Sequence, residues 1–324
     1  MTIDLGADDP ASMRHAIRIA AVLAVMAGLV PVSVQAQSTA DQEARTRAAN
    51  IAKWPDAARS LFGQKATPAH LPPRAIGSYA RGCLAGGAAL PLDGASWQVM
   101  RLNRNRNWGH PVLIDYLEKL ARDVPRITGW AGLLVGDMSQ PRGGPMLTGH
   151  ASHQIGLDAD VWLTPMPKGR LDREQRENMP AVNMARSDWR DVDPRYWTPA
   201  HVRLIRAVAA DPKVERIFVN PALKVALCRE PGDRSWLDKV RPIWGHNYHF
   251  HIRLTCPAGM ASCVPQEPPN FGDGCGAELA GWVERQHKAI FNPPKPKPGP
   301  KPKPKPPMSL DALPPECRQV LAAP

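Results

Sequence analysis

Histidine and aspartate are concentrated in two short segments of this sequence, GHASHQIGLDADVWL (149–163) and GHNYHFHIRL (245–254). Imidazoles and carboxylates are the ligands of zinc in hydrolases, where three protein ligands leave a fourth position for water. The metal lowers the pKa of that water to about 7, and an unliganded histidine or carboxylate nearby serves as general base. The two segments therefore indicate a hydrolytic zinc site. Their ionisable residues are His150, His153, Asp158, Asp160, His246, His249 and His251.

Both segments also alternate like β-strands, whose successive side chains point to opposite faces. Strands over 157–164 and 249–254 would each set an apolar row against an ionisable row. The apolar rows are Leu157, Ala159, Val161 and Leu163, and Phe250, Ile252 and Leu254; the opposite rows are Asp158, Asp160 and Trp162, and His249, His251 and Arg253. Side by side in one sheet, the two strands would share a surface of carboxylates and imidazoles. A single histidine is more often a surface or hydrogen-bonded core residue, but five in two clusters favour a metal site.

The helices and strands predicted along the rest of the chain, which must position these two segments, indicate an α+β fold. Helical patterns cover 111–124 and 277–290, and further helices begin at Thr198-Pro199, Asn220-Pro221 and Asp233. Strand-like runs cover 127–137, 157–164, 214–219 and 249–254. The order lacks the regular alternation of a doubly wound sheet. The sequence also lacks G-x-G-x-x-G, G-x-x-x-x-G-K-[ST] and G-x-S-x-G, which removes the usual support for nucleotide binding and for a serine hydrolase.

The first 36 residues have the pattern of an export signal. Arg14 and Arg18 precede an apolar stretch over 19–32, which ends in the small-residue site Val34-Gln35-Ala36. The alternative is an amphipathic or buried N-terminal helix. The stretch is too short for a stable membrane span, and no later apolar run approaches the roughly 20 residues that a span needs. We therefore expect an exported, periplasmic protein without a membrane span after signal removal.

Composition indicates a globular protein of 324 residues, with 43% hydrophobic and 22% charged residues. The domain is expected over 37–291, followed by the low-complexity spacer NPPKPKPGPKPKPKPP (292–307) and a tail over 308–324. The spacer contains five lysines, which supply nearly half of the net charge of +11. It has no interleaved aromatic residues on which bases could stack. This distribution argues against a nucleic-acid partner. A solvated linker, or a lysine strip facing a polyanion, explains it more simply.

The chain contains six cysteines, none of them in a C-x-x-C pair: Cys83, Cys228, Cys256, Cys263, Cys275 and Cys317. Exported proteins meet an oxidising compartment in which cysteines pair. Disulfides are therefore favoured over a thiolate zinc site or a redox motif. Six cysteines allow 15 pairings, and their spacing alone does not choose among them.

Four motifs resemble the penicillin-insensitive murein endopeptidases, zinc peptidases of the lysostaphin, D-Ala-D-Ala carboxypeptidase and hedgehog superfamily. They are GHASHQIGLDADVWL, RIFVNPALK, VRPIWGHNYHFHIRLTCP and GDGCGAEL. The resemblance runs from about Arg74 to Trp282 and resumes at Cys317. It implies hydrolysis of the D-alanyl–meso-diaminopimelyl cross-link of peptidoglycan in the periplasm, and a small antiparallel sheet with the zinc on one face, flanked by helices.

Carried over to this sequence, the resemblance implies zinc ligands at His153, Asp160 and His251. It makes His249 the general base and His246 a supporting or substrate-contacting residue. Asp158 would be a supporting residue and not a ligand.

The resemblance also suggests an auxiliary metal at His150, with Asp188 and Asp191 as partners. The family has Asp and His in that second segment, so a solvated acidic loop is an equal alternative here. All six cysteine positions match the family, which implies the pairs Cys83–Cys317, Cys228–Cys275 and Cys256–Cys263.

Two alternatives to the endopeptidase remain open. Zinc ligands do not define which bond is presented, so a zinc D,D-carboxypeptidase or an L,D-peptidase acting on peptidoglycan stems would use the same residues. A non-catalytic wall-binding or metal-storing protein is the other alternative. It would have no use for His249 beside three sufficient ligands.

Overall fold

The computed structural model describes residues 39–269, 272–295, 299–300 and 303–324. The predicted export signal over 1–36 lies outside the described residues, and so does part of the predicted spacer. Within the described ranges, no helix has both the length and the apolar character needed to cross a bilayer.

The described residues form eight α-helices in chain order. They are α1 (Thr39–Lys53), α2 (Ala58–Gly63), α3 (Pro111–Thr128), α4 (Arg173–Asn178), α5 (Pro199–Ala210), α6 (Pro221–Cys228), α7 (Ala277–Phe291) and α8 (Glu316–Ala322). Three short 3-10 helices cover Leu102–Arg104, Ser235–Lys239 and Leu310–Ala312.

Eleven strands complete the described fold. They are β1 (Arg74–Ser78), β2 (Arg81–Ala85), β3 (Ala88–Ala89), β4 (Asp93–Gly94), β5 (Trp97–Val99), β6 (Trp108–Gly109), β7 (Leu133–Val135), β8 (Asp158–Trp162), β9 (Val214–Val219), β10 (Val240–Pro242) and β11 (His249–Leu254). Seven of them form one sheet in the order β10-β9-β11-β8-β7-β5-β4. The pairs β10–β9 and β5–β7 are parallel, whereas β8 and β11, the predicted site strands, are antiparallel. The predicted α+β class is confirmed.

Helix α3 is longer than the sequence pattern predicted. The predicted apolar face (Leu113, Tyr116, Leu117 and Leu120) is buried, but the helix continues beyond Val124 to Thr128, with Pro125 inside it. The Thr128 hydroxyl donates to the Val124 carbonyl, and Gly129, at φ +83°, ends the helix. A strand beginning at residue 127 was therefore a wrong prediction; only β7 lies within that run. Proline removes one amide donor, but its carbonyl still accepts from the amide of the capping residue Gly129.

Two of the three predicted helix N-termini are confirmed. Thr198 caps α5 with a reciprocal capping box, and the Asn220 side chain accepts from the amide of Ala222 at the start of α6. Asp233 does not begin an α-helix. Its carboxylate accepts from the Ser235 amide and so stabilises a 3-10 turn.

Strands β8 and β11 are buried on both faces. Their apolar rows join the main core, against which α3 and α5 pack. Their ionisable rows are equally inaccessible, since Asp158, Asp160 and His251 are 0%, 4% and 3% exposed. Charged groups buried to this degree need partners or a metal.

A second core joins the two ends of the described chain. It contains Phe62 of α2, Ile76 of β1 and Val320 of α8. The Arg142 guanidinium donates to the carbonyls of Val320, Leu321 and Ala323, which holds α8 against the domain.

Three disulfides cross-link this fold and pair all six cysteines: Cys83–Cys317, Cys228–Cys275 and Cys256–Cys263. This pairing is the one that the family resemblance implies. The first bridge fixes the C-terminal helix to strand β2.

Candidate metal centre

The register of β8 and β11 places the ionisable rows directly opposite each other. His251 faces Asp160, Arg253 faces Asp158, and His249 faces Trp162. Residues opposite one another in an antiparallel pair lie close enough for their side chains to interact. The sheet therefore brings the predicted aspartates and histidines together.

The Asp160 carboxylate lies at the centre of four imidazoles. Its Oδ2 is 3.5 Å from His150 Nε2 and 3.5 Å from His249 Nε2. Its Oδ1 is 3.5 Å from His153 Nε2 and 3.4 Å from His251 Nδ1. Each carboxylate oxygen thus faces two histidine nitrogens.

The Asp158 carboxylate supports this arrangement from behind. It accepts from Arg253 Nε at 2.8 Å and from the backbone amide of His153 at 2.9 Å, and it lies 3.1 Å from His251 Nε2. Burial alone would raise the pKa of Asp158, but Arg253 and His251 outweigh it and lower that pKa. The carboxylate is therefore ionised and orients His251, whose Nδ1 faces Asp160. A carboxylate that fixes a histidine in this way is typical of metal sites.

Two site histidines have left-handed backbone conformations. His153 has φ +68° and His246 has φ +53°. Such angles are uncommon outside glycine and are characteristic of functional sites, because the surrounding structure must hold them. The hydrogen bond from the His153 amide to Asp158 holds the first, and His246 Nδ1 lies 3.1 Å from the Trp244 carbonyl oxygen.

A second charged network, which the sequence analysis did not identify, adjoins His150. Oδ2 of Asp137 is 3.0 Å from His150 Nε2, 2.9 Å from Arg104 Nη1 and 2.8 Å from Arg106 Nη1. Burial opposes ionisation of Asp137, but Arg106, His150 and Arg104 hold its pKa well below the ordinary value. In the sequence, Asp137 shows only as the aspartate at the end of the apolar run over 127–137. Its partners Arg104 and Arg106 lie about 30 residues earlier in the chain, so no local pattern connects them with it.

The histidines have different proton affinities. Burial lowers the pKa of His153 and of His249 to about 4, although Asp160 acts in the opposite direction. Burial also disfavours protonation of His251, but Asp158 outweighs it, and the pKa of His251 is raised. His153 and His249 are therefore neutral near pH 7, the form that can ligate a metal or accept a proton.

The donor atoms fit a metal ion. Both ring nitrogens of His153, both of His249 and Oδ1 of Asp160 are buried without a hydrogen-bond partner. Buried polar atoms without partners are rare, and an ion is one recognised explanation. Two groups in the described chain have ligand atoms all within 4.8 Å of one another. They are His150, His153 and Asp160, and Asp160, His246 and His251.

These groups overlap the predicted ligands in part. The predicted set of His153, Asp160 and His251 draws on both groups, and His249, predicted as the base, is in neither. The assignment of ligands and base stays a prediction.

Asp188 and Asp191, the predicted partners of His150 in an auxiliary metal site, form ion pairs with arginines instead. The Arg186 guanidinium donates to the Asp188 carboxylate, and the Arg229 guanidinium donates to that of Asp191. Neither aspartate belongs to the two potential ligand groups found among the described residues. The structure thus brings His150 to the centre without Asp188 or Asp191.

The centre opens into a cavity of about 130 Å³. Its lining combines indole and phenol rings with carboxylate, imidazole and guanidinium groups. Its lining is Arg101, Arg104, Gly136, Asp137, His150, Asp160, Trp162, Ala181, Tyr248 and His249. A buried His/Asp cluster with unpartnered donor atoms and an open cleft is the kind of centre that metal-dependent hydrolases use.

Comparison of sequences identifies the family. The sequence model of the penicillin-insensitive murein endopeptidases matches residues 75–322. The chain therefore belongs to this family of peptidases, as the four motifs predicted.

Individual relatives cover most of the chain. The penicillin-insensitive murein endopeptidase of Haemophilus influenzae is 48% identical over 250 residues, which are 77% of this chain and 82% of the relative. Proteins of the same name from Pectobacterium atrosepticum and Klebsiella pneumoniae are 42% and 44% identical, over 82% and 76% of this chain and 89% and 86% of the relatives.

Proposed function

We propose that this protein is a periplasmic zinc endopeptidase that hydrolyses D-alanyl–meso-diaminopimelyl cross-links of peptidoglycan. The observation that carries the proposal is the Asp160 carboxylate, buried among four imidazoles at the base of an open cleft. The names of the relatives supply the substrate, murein.

His153, Asp160 and His251 are the proposed ligands. Zinc is the proposed metal because imidazole and carboxylate donors suit it, and when bound it polarises a peptide carbonyl and acidifies water. Asp158 lies 3.1 Å from His251 Nε2, which orients that ring, and accepts from the backbone amide of His153, which fixes the backbone from which the second imidazole extends. Such support is typical of ligand histidines in metal sites.

His249 is the proposed proton carrier. It lies on the same face of β11 as His251, and its Nε2 is 3.5 Å from Asp160 Oδ2. Its pKa, lowered by burial to about 4, keeps the imidazole neutral and able to accept a proton in the periplasmic pH range. As an imidazolium it would be stabilised by Asp160 and could donate that proton to the leaving amine.

His246 is proposed to contact the substrate. Its ring centroid is 4.7 Å from that of His249, and it follows the exposed Trp244 in the loop before β11. From this position it can steady the developing oxyanion beside His249.

The disulfides support the proposed compartment. All six cysteines are paired, which is typical of exported proteins and rare in reducing compartments. The substrate and the predicted export signal point to the same place.

Digestion of purified cross-linked muropeptides, read by mass spectrometry with and without chelator, tests the proposal. We expect cross-linked dimers to be converted to monomers, chelator to stop the conversion and added Zn²⁺ to restore it. Penicillin should have no effect, because no acyl-enzyme forms. Release of terminal D-alanine from monomers would indicate a carboxypeptidase instead, and cleavage at L,D bonds an L,D-peptidase. Binding of sacculi without any new product would overturn the enzymatic assignment.

A further inference from the structure

Helix α1 lies outside the region that matches the family model, yet it contacts residues that adjoin the candidate metal centre. The match begins at residue 75, whereas α1 covers Thr39–Lys53. The Asn50 side-chain amide donates to the Leu147 carbonyl at 2.8 Å, and the Thr148 hydroxyl donates to Glu43 Oε1 at 3.0 Å. The helix therefore packs on the segment that leads directly into His150.

Glu43 also contacts the arginines beside the centre. Its Oε2 lies 2.6 Å from Arg104 Nη2, and its Oε1 lies 3.7 Å from Arg106 Nη2. The Glu43 side chain is 15% exposed and that of Arg106 only 2%. At this burial, ion pairs are weakly screened by solvent and salt.

The same arginines hold Asp137, and Asp137 holds His150. One oxygen of Asp137 accepts from both guanidiniums and from His150 Nε2, and that nitrogen is also 3.5 Å from Asp160. A continuous line of charged contacts thus runs from α1 to the centre, through two arginines, one aspartate and one histidine.

Charge balance gives Glu43 its role in this line. The guanidiniums of Arg104 and Arg106 contact two carboxylates, Glu43 and Asp137, and Arg47 of α1 adds a third positive charge nearby. Without Glu43, Asp137 would be the one carboxylate left to the first two cations, and Arg104 would lose the contact that holds its Nη2 away from Asp137. The Asp137 oxygen that fixes the His150 ring would then be drawn away from that ring. A buried charge that loses its partner forces such a rearrangement.

We propose that Glu43 is a positioning residue for this centre, acting through Arg104, Arg106 and Asp137 on His150. The proposal rests on the proposed function and deepens it, since it makes α1 part of the working site. Glu43 does not touch the reacting atoms. Outer partners of this kind, when mutated, typically change activity or metal affinity by about 10- to 100-fold.

The test compares Glu43→Gln, which keeps the size and removes the charge, with two controls. Asp56→Asn removes a carboxylate from an exposed residue just after α1. Asn50→Ala removes the bonds of α1 to Leu147 and Arg59 and leaves Arg104 and Arg106 in place. For Glu43→Gln we expect kcat on cross-linked muropeptides to fall about tenfold with KM within about twofold of the parent. Both controls should keep the parent kcat.

A second measurement does not depend on turnover. Metal release from the zinc-loaded protein into excess chelator should be about tenfold faster for Glu43→Gln and unchanged for both controls. If Asn50→Ala reproduces the loss of kcat and the faster release, docking alone matters and the route through the arginines is wrong. Parent-like kcat and release in Glu43→Gln would also overturn it. If the parent protein cleaves no muropeptide but release still responds to Glu43→Gln, the proposed function fails and the positioning role stands.

Discussion

The Asp160 carboxylate faces four imidazoles, and the groups that surround each ring differ. Asp158 lies beside Nε2 of His251, and Asp137 hydrogen-bonds His150. His249 has no hydrogen-bond partner on either ring nitrogen. His251 therefore has the carboxylate support that is typical of ligand histidines, and His249, two residues away on the same face of β11, does not. His153 also has no hydrogen-bond partner on its ring nitrogens, and its proposed role as a ligand rests on the family resemblance.

This difference predicts opposite effects for two neighbouring residues on β11. His251→Ala should remove both zinc and activity, because a proposed ligand is lost. His249→Ala should keep zinc and lose about 10²- to 10⁴-fold in turnover, the usual contribution of general acid–base catalysis. Zinc content by elemental analysis and dimer cleavage, measured on both variants, decide the matter. A His249 variant without zinc would make that residue a ligand.

Arg253 is the main counter-charge of Asp158. Its side chain is 8% exposed and that of Asp158 is 0% exposed. Arg253→Met should lower the free energy of unfolding by about 3–5 kcal/mol, because Asp158 would stay buried without its cation. The double variant Asp158→Asn/Arg253→Met should lose less than the sum of the two single variants. Urea denaturation measures all four proteins; additive losses would show that the pair is not coupled.

At the scale of elements, the sequence predicted best where periodicity and burial agree. Strands β9 and β11 have the predicted bounds, since a two-residue period leaves little choice once one row is apolar. Helix α3 was predicted too short because a proline usually ends a helix; the glycine that does end it, Gly129, was the local signal that could have given the right bound. Asp137, Arg104 and Arg106 were missed because no local pattern links residues that meet only in the fold.

Helix α6 contains a buried lysine that makes folding depend on pH. Lys224 is 0% exposed, and its Nζ donates to the carbonyls of Leu237 and Asp273. Burial lowers the pKa of Lys224 to about 7. Above pH 7 the folded protein holds this group neutral, whereas the unfolded chain keeps its proton up to about pH 10.4. The unfolded state then binds more protons, so the free energy of unfolding rises with pH in this window.

Lys224→Met should abolish that contribution. Relative to the variant, the parent should gain up to about 1.4 kcal/mol of unfolding free energy per pH unit between pH 7 and 9. Urea denaturation at several pH values, with disulfides intact, measures the difference. As a control, Lys168→Met replaces an exposed lysine, and its free energy of unfolding should depend on pH as that of the parent does. Parallel pH profiles for the parent and Lys224→Met would contradict the prediction.

At the scale of the whole molecule, the Cys83–Cys317 bridge joins residues separated by 234 positions. Cross-links over long loops constrain the unfolded chain most, and the chain-entropy model gives roughly 5 kcal/mol for this bridge, an upper figure. Cys83→Ala/Cys317→Ala should therefore cost more stability than Cys256→Ala/Cys263→Ala, whose residues are 7 apart and for which the model gives about 2 kcal/mol. Urea unfolding of both double variants measures the order, and a reversed order would show that loop length does not decide it.

The same bridge changes what a protease can do to this protein. Any peptide bond between Cys83 and Cys317 lies within a covalently closed ring, and the proline- and lysine-rich stretch over 292–307 is part of it. A single cut there opens the ring without separating the pieces. The nicked molecule keeps its mass apart from one added water, and α8 stays joined to β2. On a denaturing gel the nicked and intact molecules would run as one chain until a reducing agent released the short C-terminal fragment.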